Sequence, residues 1–196
     1  MNTTERPTET IIYGGMFRPP TLAHEAILQA CIDYAEPRGA DVWIMPSGNR
    51  TDKTVETPRE LRLAYVEALA SDVVARSVQL DIETTELDRG YQTETYDTVA
   101  EMAALYPGRR FTWVFGSDSV NTMHEWHGGE EMLSGLSMLI VERPGYPVRR
   151  LGSNAVILTV ATREISSTLV RARMERDEPV DDLVSSSVES LLFANA

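Results

Sequence analysis

An α/β fold, a doubly wound parallel sheet with helices on both faces, is the architecture this sequence predicts, and three observations predict it. Short β-branched runs alternate with longer stretches of helical periodicity along the chain. Successive runs are mostly separated by enough residues for a helical crossover, which must be right-handed and must lay its apolar stripe on the sheet. The first run ends in Gly14-Gly15, and a helical segment follows closely. Glycines there let the backbone turn tightly and approach a ligand, and the start of a helix favours an anion.

In chain order, residues 1–7 form a polar arm with no signal-peptide core. Thr10-Ile11-Ile12 opens a strand over 10–13, and the glycine turn leads to a helix over 21–34. A second strand over 42–45 runs into Pro46-Ser47-Gly48-Asn49-Arg50-Thr51-Asp52-Lys53, a loop too rich in turn-forming and charged residues for a plain linker. A helix over 58–69, a strand over 78–80 and a helix over 95–105 come next. They are followed by a strand over 111–115, a helix over 121–133, and strands over 137–141 and 155–159. Two helices close the chain, over 166–175 and 180–193. No linker or repeat divides the chain, so residues 1–196 are expected to form a single domain, with a core over 8–160 and a helical segment over 161–196.

Composition narrows the function classes. The formal charge of −12 argues against a nucleic-acid or acidic-membrane partner, which the mean field would repel. No apolar run reaches the length of a membrane span. One cysteine, Cys31, excludes an internal disulfide and fits a small buried hydrophobe in a reducing, cytoplasmic setting. An anionic substrate then requires a local cluster of cations. Those cations are almost all arginine, with Lys53 the only lysine.

In open α/β sheets ligands gather at the carboxyl ends of the strands, and the segments there carry the unusual residues. His24 falls in the first turn of a helix, where the dipole favours a neutral ring able to donate to a phosphate oxygen, and Thr21 shares its face. Ser166-Ser167-Thr168 opens the helix after the last strand. One hydroxyl suffices for an N-cap; three, followed by Arg171 on the same face, suggest a second anion cradle. Gly116-Ser117-Asp118 places a carboxylate where ribose hydroxyls are commonly bound. His124 and His127 lack a third ligand of suitable spacing, so no metal held by protein side chains is expected. Trp126 between them offers either a core side chain or a platform for a flat heterocycle.

These residues resemble a known family. The stretch from Gly14 to His24 is similar to the opening motif of the HxGH/TxGH nucleotidyltransferases in its Thr form, and Ile165 to Arg171 resembles their ISSTxxR motif. The segments between resemble the nicotinate/nicotinamide mononucleotide adenylyltransferases: Met45-Pro46-Ser47-Gly48 with Lys53, Arg89 ahead of Asp97-Thr98, Gly116-Ser117-Asp118, His124 with Trp126, and Arg143-Pro144-Gly145-Tyr146. The resemblance implies a Rossmann-like fold and transfer of AMP from ATP to a pyridine mononucleotide, releasing pyrophosphate by in-line attack without a covalent intermediate. It implies Thr21, His24 and Arg171 at the reacting phosphates. Gly14, Gly15, Phe17, Gly116, Asp118, Ile165, Ser166, Ser167 and Lys53 would contact ATP, with Mg²⁺ accompanying its phosphates. Trp126, Thr95, Arg143 and Glu94 would face the mononucleotide.

Several positions depart from that family. Arg18 stands where Asp is usual, Ala23 where Gly is usual and Thr21 where His is frequent. Glu94 replaces a common aromatic residue; a carboxylate beside nicotinate would repel it, which points to dual or nicotinamide preference. Transfer to another phosphate acceptor such as phosphopantetheine, use of CTP, and a non-catalytic nucleotide-binding module remain the alternatives, and the sequence is compatible with a homo-oligomer.

Overall fold

The computed structural model describes residues 9–49, 57–161 and 164–194. Its elements follow in the order β1 (Glu9–Gly15), α1 (Leu22–Ala35), β2 (Asp41–Pro46), α2 (Arg59–Ser71), β3 (Leu80–Ile82), α3 (Thr85–Asp88) and α4 (Thr95–Leu105). They continue with β4 (Arg110–Gly116), α5 (Ser117–Thr122), α6 (Gly129–Gly135), β5 (Ser137–Val141), β6 (Asn154–Leu158), α7 (Ser167–Met174) and α8 (Ser186–Ala194). The six strands form one parallel sheet in the order β3-β2-β1-β4-β5-β6.

Period-two alternation along β1 divides the core. Ile11 and Tyr13 face the side covered by α1 and α2, with Leu28, Ile32 and Val66. Ile12 faces the other side, with Trp43, Trp113 and Met102 of α4. Both faces are therefore covered, as the near-continuous apolar runs of the strands require. The strand order reverses between β1 and β4, so their carboxyl ends diverge and leave a crevice.

Three sequence expectations are corrected. The helix expected over 121–133 is broken: α5 runs into a 3₁₀ turn, Met123–Glu125, and α6 starts only at Gly129. Gly128 adopts a left-handed φ of 64°, and a Cβ on Gly129 would collide with the Met123 carbonyl oxygen. Because that neighbour is backbone, Gly129→Ala is expected to destabilise the protein by about 3 kcal/mol and lower its Tm by roughly 10 °C, as measured by thermal denaturation.

The helix expected from 180 starts at Ser186 instead. Val180 to Val184 form a tight turn that presents the Leu183 carbonyl to the Leu22 amide at 2.9 Å. The third strand lies two residues later than the expected 78–80, because Val42 pairs with Leu80. The passage from β5 to β6 contains no helix, which leaves Val156 and Ile157 of the edge strand 46% and 47% exposed.

The helical end of the chain has its own small core. Val170, Val180, Leu183, Val184, Val188 and Leu192 pack on Tyr65 and Ala68 of α2. This cluster fixes α7 and α8 against α2, and so places Arg171 and Arg62 on either side of the first turn. No helix among the described residues is long and apolar enough to cross a membrane.

Candidate active site

A cavity of about 340 Å³ opens where β1 and β4 diverge. Of the residues singled out from sequence, Gly14, Gly15, Phe17 and His24 line it from the β1 side. Gly116, Asp118, Trp126, Thr95 and Arg143 line it from the other. Thr21, Glu94, Ile165, Ser166, Ser167 and Arg171 do not form its wall. Lys53 and the loop over 50–56 lie outside the described residues.

His24 is held in one chemical form. The Thr21 backbone N–H donates to His24 Nδ1 at 3.1 Å, and Thr21 Oγ1 lies 2.8 Å from the same nitrogen. An amide N–H is always a donor, so Nδ1 is the acceptor and the ring proton of the neutral imidazole sits on Nε2. Burial, and secondly the Arg143 charge, push the His24 pKa down to about 4. The Phe17 ring meets the imidazole edge-on, with centroids 5.4 Å apart, and Phe17 in turn meets Tyr13 the same way. A neutral ring in a fixed tautomer can give a hydrogen bond to a phosphate oxygen without reorganising at the moment of reaction.

The helix-terminus contribution is smaller than the sequence suggests. The first amide of α1, on Leu22, already donates to Leu183, and Thr21 with His24 forms a reciprocal capping box. Charge near the turn comes instead from side chains. Arg171 Nη1 donates to the Arg18 carbonyl at 2.7 Å. Arg62 Nη2 donates to the Ser47 carbonyl and, at 3.4 Å, to that of Met16. Burial first, then the charge of Arg18, lowers the pKa of both Arg62 and Arg171.

The serine run has specific duties. Ser166 Oγ caps α7 by accepting from the Leu169 amide at 3.2 Å. Ser167 Oγ donates to the Pro19 carbonyl at 2.8 Å, and Thr168 Oγ1 accepts from Arg171 Nη2 at 3.2 Å. Ile165 packs on the helical cluster rather than into the cavity. The motif thus ties α7 to the first turn, with Arg171 spanning the two.

On the opposite wall, Arg143 Nη1 meets Asp118 Oδ2 at 3.1 Å, while Asp118 Oδ1 is buried without a hydrogen-bond partner. An unsatisfied carboxylate oxygen of this kind suits a hydroxyl donor on a ligand. The buried Ser117 hydroxyl donates to the Tyr146 carbonyl at 2.5 Å and accepts from the Arg143 amide at 2.9 Å, fastening the turn that carries Arg143. Thr93 and Thr95 form the adjoining wall. Behind it Arg89, whose side chain is 3% exposed, bonds Thr93, Thr98 and Glu101.

Glu94 is corrected. It occupies the N-cap of α4 and joins Asp97 in a capping box, because the unpaired amides at a helix start attract a carboxylate. It is not part of the cavity wall, although Thr93 and Thr95 on either side of it are.

Sequence reasoning missed Arg62 and Ser117. Arg62 shares a helix face with Tyr65, Val66 and Leu69, and an arginine on an apolar stripe was the available signal. Ser117 entered only as the middle residue of Gly116-Ser117-Asp118, and nothing local marks its two long-range bonds.

Comparison with known proteins finds similarity over most of the chain. Similar proteins include one from Geobacillus thermodenitrificans (strain NG80-2) bearing the name probable nicotinate-nucleotide adenylyltransferase, 29% identical over 179 residues that cover 90% of this chain and 80% of that protein. A protein of the same name from Bacillus licheniformis is 27% identical, covering 94% of this chain and 95% of its own. In fold, the chain matches the Plasmodium falciparum nicotinic acid mononucleotide adenylyltransferase complexed with NaAD, with a TM-score of 0.81, 20% identity and 96% of each chain covered. The cytidylyltransferase-like family model matches residues 12–173, and the chain belongs to the cytidylyltransferase-like family.

Proposed function

We propose that the protein transfers AMP from MgATP to nicotinate mononucleotide, forming deamido-NAD and pyrophosphate. The observation that carries this reading is the His24 imidazole, neutral and locked by Thr21, beside a glycine turn and opposite Asp118 and Trp126 in one cavity. The names of the similar proteins support the choice of acceptor.

In the reaction a phosphate oxygen of the mononucleotide attacks the α-phosphorus of ATP. The bond from that phosphorus to the bridging oxygen breaks, and pyrophosphate leaves with the electron pair. The acceptor phosphate is already ionised, so no general base is needed, and the protein acts by positioning and by offsetting charge. His24 Nε2–H donates to an α-phosphate oxygen. Gly14 and Gly15 let the chain approach the nucleotide, and Arg171 faces the leaving phosphates, with Lys53 a further cation for them. Asp118 Oδ1 accepts from a ribose hydroxyl, and Trp126 stacks on the pyridine ring. Thr95, at the first turn of α4 and on the cavity wall, offers a hydroxyl to the nicotinate carboxylate. Mg²⁺ enters with ATP as part of the substrate, and the arginines, imidazole and hydroxyls around the turn are donors for its phosphates.

The test is release of pyrophosphate from MgATP with nicotinate mononucleotide, nicotinamide mononucleotide or phosphopantetheine as acceptor, and from MgCTP with the first. Nicotinate mononucleotide with MgATP is expected to give the highest kcat/KM. Equal or greater turnover with phosphopantetheine or MgCTP would replace this reading with one of the alternatives.

A further inference from the structure

Two guanidiniums grip the first turn, and the turn itself carries a third. Arg171 from α7 holds the Arg18 carbonyl at 2.7 Å, and Arg62 from α2 reaches the Met16 carbonyl at 3.4 Å. Between those carbonyls Phe17, only 1% exposed, adopts a left-handed φ of 44°. The backbone on which Arg18 sits is thus fixed from both sides. Among the described residues no hydrogen bond or ion pair engages the half-buried Arg18 side chain.

The charges of Glu86 and Glu175 act on Arg62 and Arg171 respectively. Three cations gathered at one turn, in a chain with 18 basic against 30 acidic residues, repel one another unless an anion lies among them. Arginine suits phosphate oxygens because its planar fork donates two parallel hydrogen bonds.

We propose that Arg18 is a phosphate-binding residue, and that Arg18 and Arg171 together bind a linear polyphosphate over the turn while Arg62 behind it acts as a positioning residue. The ligand class is a triphosphate tail or free pyrophosphate. The inference deepens the AMP-transfer reading and rests on it for the source of that phosphate, the β,γ end of ATP. The resembling family usually has Asp at this position, so the Arg18 contact would be a property of this chain's own sequence.

The test is calorimetric titration of the full-length protein with inorganic tripolyphosphate, without nucleotide or Mg²⁺, at low and high salt. The parent is expected to bind it, more weakly as salt rises. Arg18→Ala is expected to weaken binding about tenfold, the size of one lost charge-assisted hydrogen bond, with Arg18→Lys intermediate. Arg110→Ala, at the opposite end of β4 with a side chain 78% exposed, serves as the control and should bind as the parent does. Thermal denaturation checks that each variant is folded.

Undiminished tripolyphosphate binding by folded Arg18→Ala, an equal loss in Arg110→Ala, or no binding by the parent overturns the proposal. If Arg18→Ala fails to fold, the same criteria apply to Arg18→Lys, and parent-like affinity in that variant overturns the fork-specific contact. Binding that depends on Arg18 in a protein that transfers no AMP would sink the adenylyltransferase reading while leaving this site standing.

Discussion

Replacing His24 with alanine is expected to lower kcat/KM for dinucleotide formation by about 10²–10³-fold, the usual cost of removing one pre-aimed donor at a site of developing charge. Steady-state kinetics with both substrates varied measures it. The loss should fall mainly on kcat, since the donor strengthens its hold as charge builds in the transition state. The protonation behaviour is equally specific. With its pKa held near 4, chiefly by burial, the free protein's His24 is neutral throughout the physiological range. The kcat/KM profile should therefore show no inflection from this ring near its ordinary value of 6.5.

Linkage gives the sign for stability. Below pH 6.5 the unfolded chain takes up a proton that the folded ring refuses, so this contribution is intact above 6.5 and is lost as the pH falls towards about 4. His24→Ala should flatten that part of the stability profile measured by denaturant titration. A profile identical to that of the parent would contradict the assigned environment.

Arg62→Ala is the second large effect expected. The side chain is buried, with the residue 3% exposed, and its Nη2 serves the carbonyls of Ser47 and Met16 from two different strand exits. Truncation leaves both carbonyls without their donor and opens a cavity, costing about 3 kcal/mol in a denaturant titration. Arg62→Lys keeps the charge but replaces a planar fork with a compact ammonium. It should recover part of the stability while kcat/KM stays at least tenfold down, because the turn that carries Phe17 and Arg18 is no longer held from that side. Full activity in Arg62→Lys would show that charge alone suffices there.

Much of this site was legible in the sequence, for a physical reason: strands and crossover helices impose periods of two and 3.6 that survive in the residue pattern. Thr21 and His24 could be paired because three residues of helix put them on one face. The doubled glycine announced the cavity that Gly14 and Gly15 line. What could not be read were bonds that only the fold creates. The Leu22 amide is occupied by a carbonyl from the far end of the chain, and Ser167 is tied to Pro19 across the same gap. The N-cap role of Glu94 was equally hidden, because a position beside a pocket and a helix N-cap look alike in sequence. The broken helix after α5 was readable in hindsight, since Gly128-Gly129 interrupts it at a left-handed φ.

The central claim is direct transfer of the adenylyl group between two bound nucleotides, and one measurement meets it head-on. The protein is incubated with ATP labelled at the α-phosphorus, Mg²⁺ and nicotinate mononucleotide, and the label is followed into product and protein. The account predicts label in the dinucleotide, one unlabelled pyrophosphate released per dinucleotide formed, and none covalently held by the chain at any time. Label trapped on the protein, or pyrophosphate formed without a labelled dinucleotide, would contradict it.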